Sequence, residues 1–278
     1  MLMKGEKMKR SLTEIIFADC LFIIFISLSS FFGAALGDIL YALAFVIPVS
    51  ALLILWKRRE REDYKISVLA PLSSMKSAAL FLFPIIFVIL LISFAAASIM
   101  DVLGLGGASA GLEGNLLYII ILKAIAPAIF EEMLFRYLPI RALGAYSPRL
   151  TVIYSAVLFS LAHCNLAQIP YALFAGLTFA AIDIAAGSVL PSIFIHLANN
   201  VLSILWQRNN ESTVFSVIFL SAMLLLTVIS VALIYVKRKR LKEEFSCILS
   251  DKSKLIFTYS FGLYIIATIF ATVSAFVI

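Results

Sequence analysis

The sequence predicts an all-α, polytopic transmembrane helix bundle, and three observations carry that prediction. Of its 278 residues, 63% are hydrophobic and 14% charged, where a soluble domain would carry about 25% charged residues. Apolar runs long enough to cross about 30 Å of hydrocarbon recur from end to end. Lysines and arginines collect between alternate runs, the pattern that orients membrane helices. No stretch is left for a sizeable soluble domain.

Nine runs read as spans, at 15–32, 39–56, 77–100, 116–138, 150–166, 170–186, 189–206, 213–236 and 255–278. Eight is the alternative if the first pair forms a hairpin or one run is re-entrant. Lys4, Lys7, Lys9 and Arg10 precede the first run, and Lys57, Arg58, Arg59, Arg61, Lys65 and Lys76 separate the second from the third. Arg141 and Arg149 separate the fourth from the fifth, and the basic stretch from Lys237 to Lys254 separates the eighth from the ninth. Strict alternation puts all of these segments on one face, which the positive-inside rule makes cytoplasmic. The opposite segments, at 101–115, near Gln168 and at 207–212, hold only Arg208. The expectation is an integral membrane protein with a cytoplasmic N-terminus, in the plasma membrane if the source is a prokaryote. The first run is long enough to stay as an uncleaved helix rather than a signal peptide.

The net charge of +6 is accounted for by these basic flanks, so no nucleic-acid partner is expected; the partners are the lipid bilayer and a membrane-bound substrate. Cys20, Cys164 and Cys247 are too few and too scattered for a disulfide framework or a Cys-x-x-Cys metal site. The small-residue stretch at 104–111 reads as an outer loop without a phosphate role, since no P-loop lysine follows it. The chain divides into N-terminal helices and loops at 1–115, a core at 116–206 that carries the unusual polar residues, and C-terminal helices at 207–278.

Charges and imidazoles are costly in hydrocarbon and, where they persist, face a shared interior. The fourth run carries Glu131, Glu132 and Arg136. Residues four apart share a helix face, so Glu132 pairs with Arg136, while Glu131 is turned away by about 100° and lacks such a partner. Pro127, one turn earlier, removes the hydrogen bond to the Lys123 carbonyl and is expected to kink the helix. The fifth run places Phe159 and His163 four apart, and the seventh does the same for His196 and Asn200. The His196–Asn200 spacing puts an imidazole and a carboxamide on one face, a pair suited to an oxyanion or a metal. Asn199 points to another face and reads as a packing or loop contact, and Asp183 as a structural buried acid.

Glu131-Glu132-x-x-x-Arg136, Phe159-x-x-x-His163 and His196-x-x-x-Asn200, in that order on membrane segments, resemble the three motifs of the CPBP family. The family comprises the type II CAAX prenyl endopeptidases and the bacterial abortive-infection (ABI) and bacteriocin-processing proteins. The match covers 116–206, with every motif position filled. The resemblance implies an intramembrane endopeptidase with an active-site cavity inside the bundle. Its water-activating group would be Glu131, with His163, His196 and Asn200 completing the site and Glu132, Arg136 and Phe159 supporting it. The substrate would be a CAAX-type prenylated protein or a bacteriocin-like peptide precursor.

In the favoured reading no cofactor is needed: Glu131 is the general base, His163 orients the water, and His196 with Asn200 binds the oxyanion. A zinc metalloprotease, with Glu131, His163 and His196 as ligands, is the alternative. A catalytically idle immunity or binding protein, and an ion- or proton-coupled transporter, are the other function classes. Counting about 1.5 Å per residue places Glu131 and His196 about 10–15 Å from the cytoplasmic ends and His163 nearer 20 Å. Convergence therefore requires tilt, a broken helix or a shifted boundary.

Overall fold

A computed structural model describes residues 2–32, 34–57, 64–68, 72–104 and 114–277. Arg58, Arg59 and Arg61 and most of the predicted loop at 104–111 lie outside the described residues. The helices are α1 (Leu2–Phe31), α2 (Ala34–Lys57), α3 (Leu72–Ala79), α4 (Leu82–Val102), α5 (Leu116–Ile120), α6 (Ala126–Glu132), α7 (Leu138–Leu143), α8 (Pro148–Ala162), α9 (Ile169–Ala186), α10 (Leu190–Asn209), α11 (Thr213–Glu244), α12 (Ser246–Leu249) and α13 (Tyr259–Val277). Two π-helical turns, Ile121–Ile125 and Met133–Tyr137, join α5, α6 and α7 into one rod. Among the described residues the extended pairing is a single bridge between Ser67 and Ser188.

A helix lies over each of the nine predicted runs. By length and apolarity, five helical segments suffice to cross a bilayer: Gly5–Ser29, Ile39–Trp56, Leu82–Val102, Ile169–Ala186 and Thr213–Glu244. The others are shorter, interrupted or more polar. The chain is an all-α integral membrane protein.

Several boundaries differ from expectation, each for a local reason. The third run does not begin at Ser77, because the helix breaks at Leu80–Phe81, where both amides bond back three residues. The Pro84 ring would clash with the Leu80 carbonyl in a continuous helix. The fifth run ends at Ala162 rather than 166, with Cys164 at φ +46° just beyond it. The ninth begins at Tyr259, since the preceding segment is held extended by side chains. Ile256 exchanges its amide and carbonyl with the Tyr154 hydroxyl, and Thr258 accepts the Phe261 amide.

The core runs through the bundle as a chain of rings. Phe22 of α1 meets Phe45 of α2 and Phe135 of the second π turn at centroid distances of 5.2 and 5.5 Å, and Phe135 meets Phe159 of α8 at 5.5 Å. Helices α8 and α9 approach closely because Gly176 has no side chain: a Cβ there would lie 2.7 Å from the Ala156 Cα. Gly176→Ala is therefore expected to lower stability by about 1–3 kcal/mol through overpacking, read as a drop in the thermal unfolding midpoint in detergent.

On the face with the basic segments, Asp251 ties the α11–α13 connection to the start of α8. Its carboxylate accepts from the Ser147 hydroxyl and, at 3.2 Å, from the Arg149 amide, while Ser147 caps α8 by accepting the Leu150 amide at 3.1 Å. Burial raises the Asp251 pKa, but hydrogen bonds from Ser147, Ser253 and the Arg149 amide outweigh it and hold the group at about 2. A carboxyl titrating lower in the folded protein than its unfolded value of about 3.9 contributes stability that is present above that value and lost as pH falls through about 2. Asp251→Asn should lower the unfolding midpoint at pH 7 and reduce the further loss between pH 4 and 2, measured as midpoint against pH.

Candidate active site

Glu131 and Glu132 end α6 on different faces of the rod, and their surroundings differ accordingly. Glu132 is fully buried and Glu131 retains 15% of its side-chain exposure. Glu132 Oε2 lies 3.2 Å from Arg136 Nε, an ion pair between two side chains that are both 0% exposed. The contact lacks hydrogen-bond alignment, so charge rather than directed bonding holds it. The guanidinium also lies 3.8 Å from the centroid of the Phe159 ring and 5.4 Å from that of Phe179. Both rings present a negative π face to the cation.

The other Glu132 oxygen accepts from His196. The His196 Nδ1 to Glu132 Oε1 distance is 2.7 Å, which fixes the ring with Nδ1–H toward the carboxylate and Nε2 toward Glu131 Oε2 at 3.9 Å. Helix α10 is set for this contact one turn earlier, where Asp183 of α9 accepts the Ser192 amide at 3.2 Å and the Ser192 hydroxyl at 2.6 Å. Ser192 precedes His196 by four residues and shares its face.

His163 sits at the C-terminal cap of α8, where its Nδ1 is 2.9 Å from the Phe159 carbonyl. A carbonyl can only accept, so Nδ1 carries the proton and Nε2 of the neutral ring is an acceptor. The Phe159 ring meets both imidazoles edge-on, at 4.8 Å from His163 and 6.1 Å from His196. Phe159 thus packs against Arg136 and against both histidines.

Glu131, His163, His196 and Asn200 line one cavity of about 580 Å³. Glu132 and Arg136 lie behind the wall, and Phe159 forms part of it. The cavity also takes in residues that were not read from the sequence as site residues: Lys123, Gln168, Tyr171 and Asn199. Asn199 is not a packing or loop contact apart from the site; it faces the cavity and its Nδ2 donates to Asn200 Oδ1 at 3.4 Å. The cavity is wide enough to be lined by two adjacent faces of α10. Gln168 and Tyr171 come from the start of α9, where a polar residue in a short turn was the only available signal.

Pro127 acts through the π turn before it rather than through a simple kink. The Ala126 amide bonds to the Ile121 carbonyl, five residues back. In that register the carbonyl that Pro127 leaves without a donor is Leu122, not Lys123, and the Tyr41 hydroxyl lies 3.5 Å from it. The second π turn repeats the arrangement, with Leu138 bonded to Met133 and Pro139 following. Such turns insert a residue into a helix and often mark functional sites. Here they bracket Glu131 and Glu132.

Among the described residues no group of three or more His, Cys, Asp and Glu side chains is placed to share one metal ion. The two histidines also spend Nδ1 on Glu132 and on the Phe159 carbonyl, leaving one nitrogen each.

The fold and cavity define a helical membrane protein with an embedded carboxylate–imidazole site. Residues 113–202 match the family model for the Rce1-like type II CAAX prenyl endopeptidases, and that segment belongs to the CPBP family. The family is one of intramembrane proteases that act on membrane-associated substrates. No curated protein and no solved structure matches the chain.

Proposed function

We propose that the chain is an intramembrane endopeptidase in which Glu131 activates a water for attack on a peptide bond of a membrane-anchored substrate. The reading rests above all on one observation: Glu131, His163, His196 and Asn200, from three separate helical segments, line the same cavity. Both imidazoles are held by their far nitrogens, leaving each Nε2 for the reaction.

Glu131 takes a proton from the water as the water oxygen bonds to the scissile carbonyl carbon. His163 Nε2, an acceptor in this tautomer, orients the water through its second hydrogen. The carbonyl electrons move to oxygen, and Asn200 Nδ2 donates to the oxyanion. His196 donates as well when its Nε2 is protonated, with Glu132 balancing the ring charge from the other side, as a carboxylate does for a catalytic imidazole. Glu131 then passes its proton to the amine nitrogen as the C–N bond breaks, giving a carboxylic acid and a free amine. Transfer of the acid's proton to the amine leaves carboxylate and ammonium. A dry site makes each of these contacts stronger than it would be in water.

Nine crossings with the N-terminus inside complete the proposal, and the substrate is either a CAAX-type protein or a peptide precursor. Asn200→Ala should cost about 10²–10³-fold in turnover with little change in substrate binding, measured as kcat and KM on a lipidated reporter peptide. Metal analysis of the same preparation distinguishes the zinc alternative. The present mechanism predicts full activity in chelator without stoichiometric zinc, and loss of activity restored by zinc would replace it.

A further inference from the structure

Of the 22 lysines and arginines, all but Lys123, Arg136 and Arg208 lie on segments that alternation puts on one face. The folded chain joins those segments to each other. The Tyr64 amide bonds to the Arg141 carbonyl and the Ser67 amide to the Gly187 carbonyl, each at 3.0 Å, and the Ser77 hydroxyl donates to Glu244 at 3.2 Å. Ser147 and Arg149 hold Asp251. At the opposite end Arg208, in the last turn of α10, donates to the Gly114 carbonyl ahead of α5 at 3.1 Å. The two ends of the bundle are therefore distinct, and the basic one is cytoplasmic by the positive-inside rule.

The catalytic cavity belongs to the other end. Its wall includes Gln168 and Tyr171 at the start of α9, Trp206 and Gln207 near the end of α10, and Lys123 near the start of the α5–α7 rod. Toward the basic face the buried Glu132–Arg136 pair closes it. Beyond that pair lies a separate apolar cluster of Ile140, Val152, Ala180 and Ile184, with Tyr64 and Ile66 packed against it. A second cavity on the basic face, of about 120 Å³, is lined by Ser77, Arg240 and Glu244 and reaches none of the four site residues.

We infer that the cavity is entered from the non-cytoplasmic side of the membrane. The substrate is then an exported, membrane-anchored peptide that reaches the site from that side, rather than a protein prenylated at the cytoplasmic surface. This deepens the peptidase reading and rests on it for the word substrate; the sidedness rests on charge and fold alone.

Single cysteines at Gln168, Asn209 and Lys242, introduced after Cys20, Cys164 and Cys247 are changed to Ser, test it with a membrane-impermeant maleimide. Gln168→Cys and Asn209→Cys should label as fully in intact cells as after permeabilisation, and Lys242→Cys only after permeabilisation. Labelling of Lys242→Cys in intact cells, or of Gln168→Cys only after permeabilisation, would overturn the inference. If the Ser background impairs folding, Asn209→Cys and Lys242→Cys with the native cysteines retained, read against the unaltered protein, give the sidedness alone. Labelling does not depend on activity, so an inactive protein would leave this result standing while removing the peptidase reading. Conversely, a lipidated peptide cleaved by inside-out vesicles and not by intact cells would keep the peptidase and refute the sidedness.

Discussion

Glu131→Gln is expected to abolish peptide hydrolysis, by about 10²–10⁴-fold or more, in a protein that still folds. The lower range is the usual contribution of a single general base. The loss can exceed it because the same group also returns the proton to the leaving amine. Folding should survive because Glu131 faces the cavity and is partly exposed, and its contact with His196 Nε2 is long, at 3.9 Å. Glutamine keeps the shape and removes the proton acceptor. Cleavage of a lipidated peptide, followed by mass spectrometry beside the unfolding midpoint, separates the two effects. Wild-type turnover in Glu131→Gln would remove this residue from the mechanism.

Glu132→Ala should give the largest loss of stability, about 3–5 kcal/mol, because it leaves Arg136 charged and buried without its counter-ion. Both side chains of the pair are fully buried, the guanidinium packs on the rings of Phe159 and Phe179, and Glu132 is the acid that acts on it most strongly, ahead of Asp183 and Glu131. The double variant Glu132→Leu, Arg136→Met should recover most of that stability, since apolar groups of similar volume often replace a buried pair at little cost. It should not recover activity, because His196 would have lost the acceptor that orients its ring. Unfolding midpoints and turnover for the two single variants and the double variant resolve the two roles. Recovery of both together would mean that Glu132 serves packing alone.

The sequence was most informative where geometry is local. The Glu132–Arg136 spacing and the divergence of Glu131 from Glu132 follow from helix periodicity, and the same rule puts His196 and Asn200 on one face. What periodicity does not contain is partners far apart in the chain. Glu132 meets His196 across 64 residues, and nothing in either helix taken alone signals that contact. The depth mismatch expected for His163 came from ending the fourth run at 138. The rod continues to Leu143, which at about 1.5 Å per residue sets Glu131 about 18 Å from that end, close to the depth of His163. The turn at Cys164 and the capture of His163 by the Phe159 carbonyl depend on how α8 ends, which hydropathy does not report. Pro127 correctly marked a disturbed helix, but the carbonyl it frees depends on a π register that a 3.6-residue period does not anticipate. Asn199 was misplaced for a related reason: one face was assigned to the site, and the cavity is broad enough for two.

The most direct measurement is an experimental structure with a phosphinic peptide bound, its tetrahedral phosphorus standing in for the attacked carbonyl carbon. One phosphinate oxygen should lie within hydrogen-bond reach of Asn200 Nδ2 and His196 Nε2, and the other beside Glu131 and His163. An inhibitory phosphinate bound away from these four side chains, or held by a zinc ion, would contradict the account.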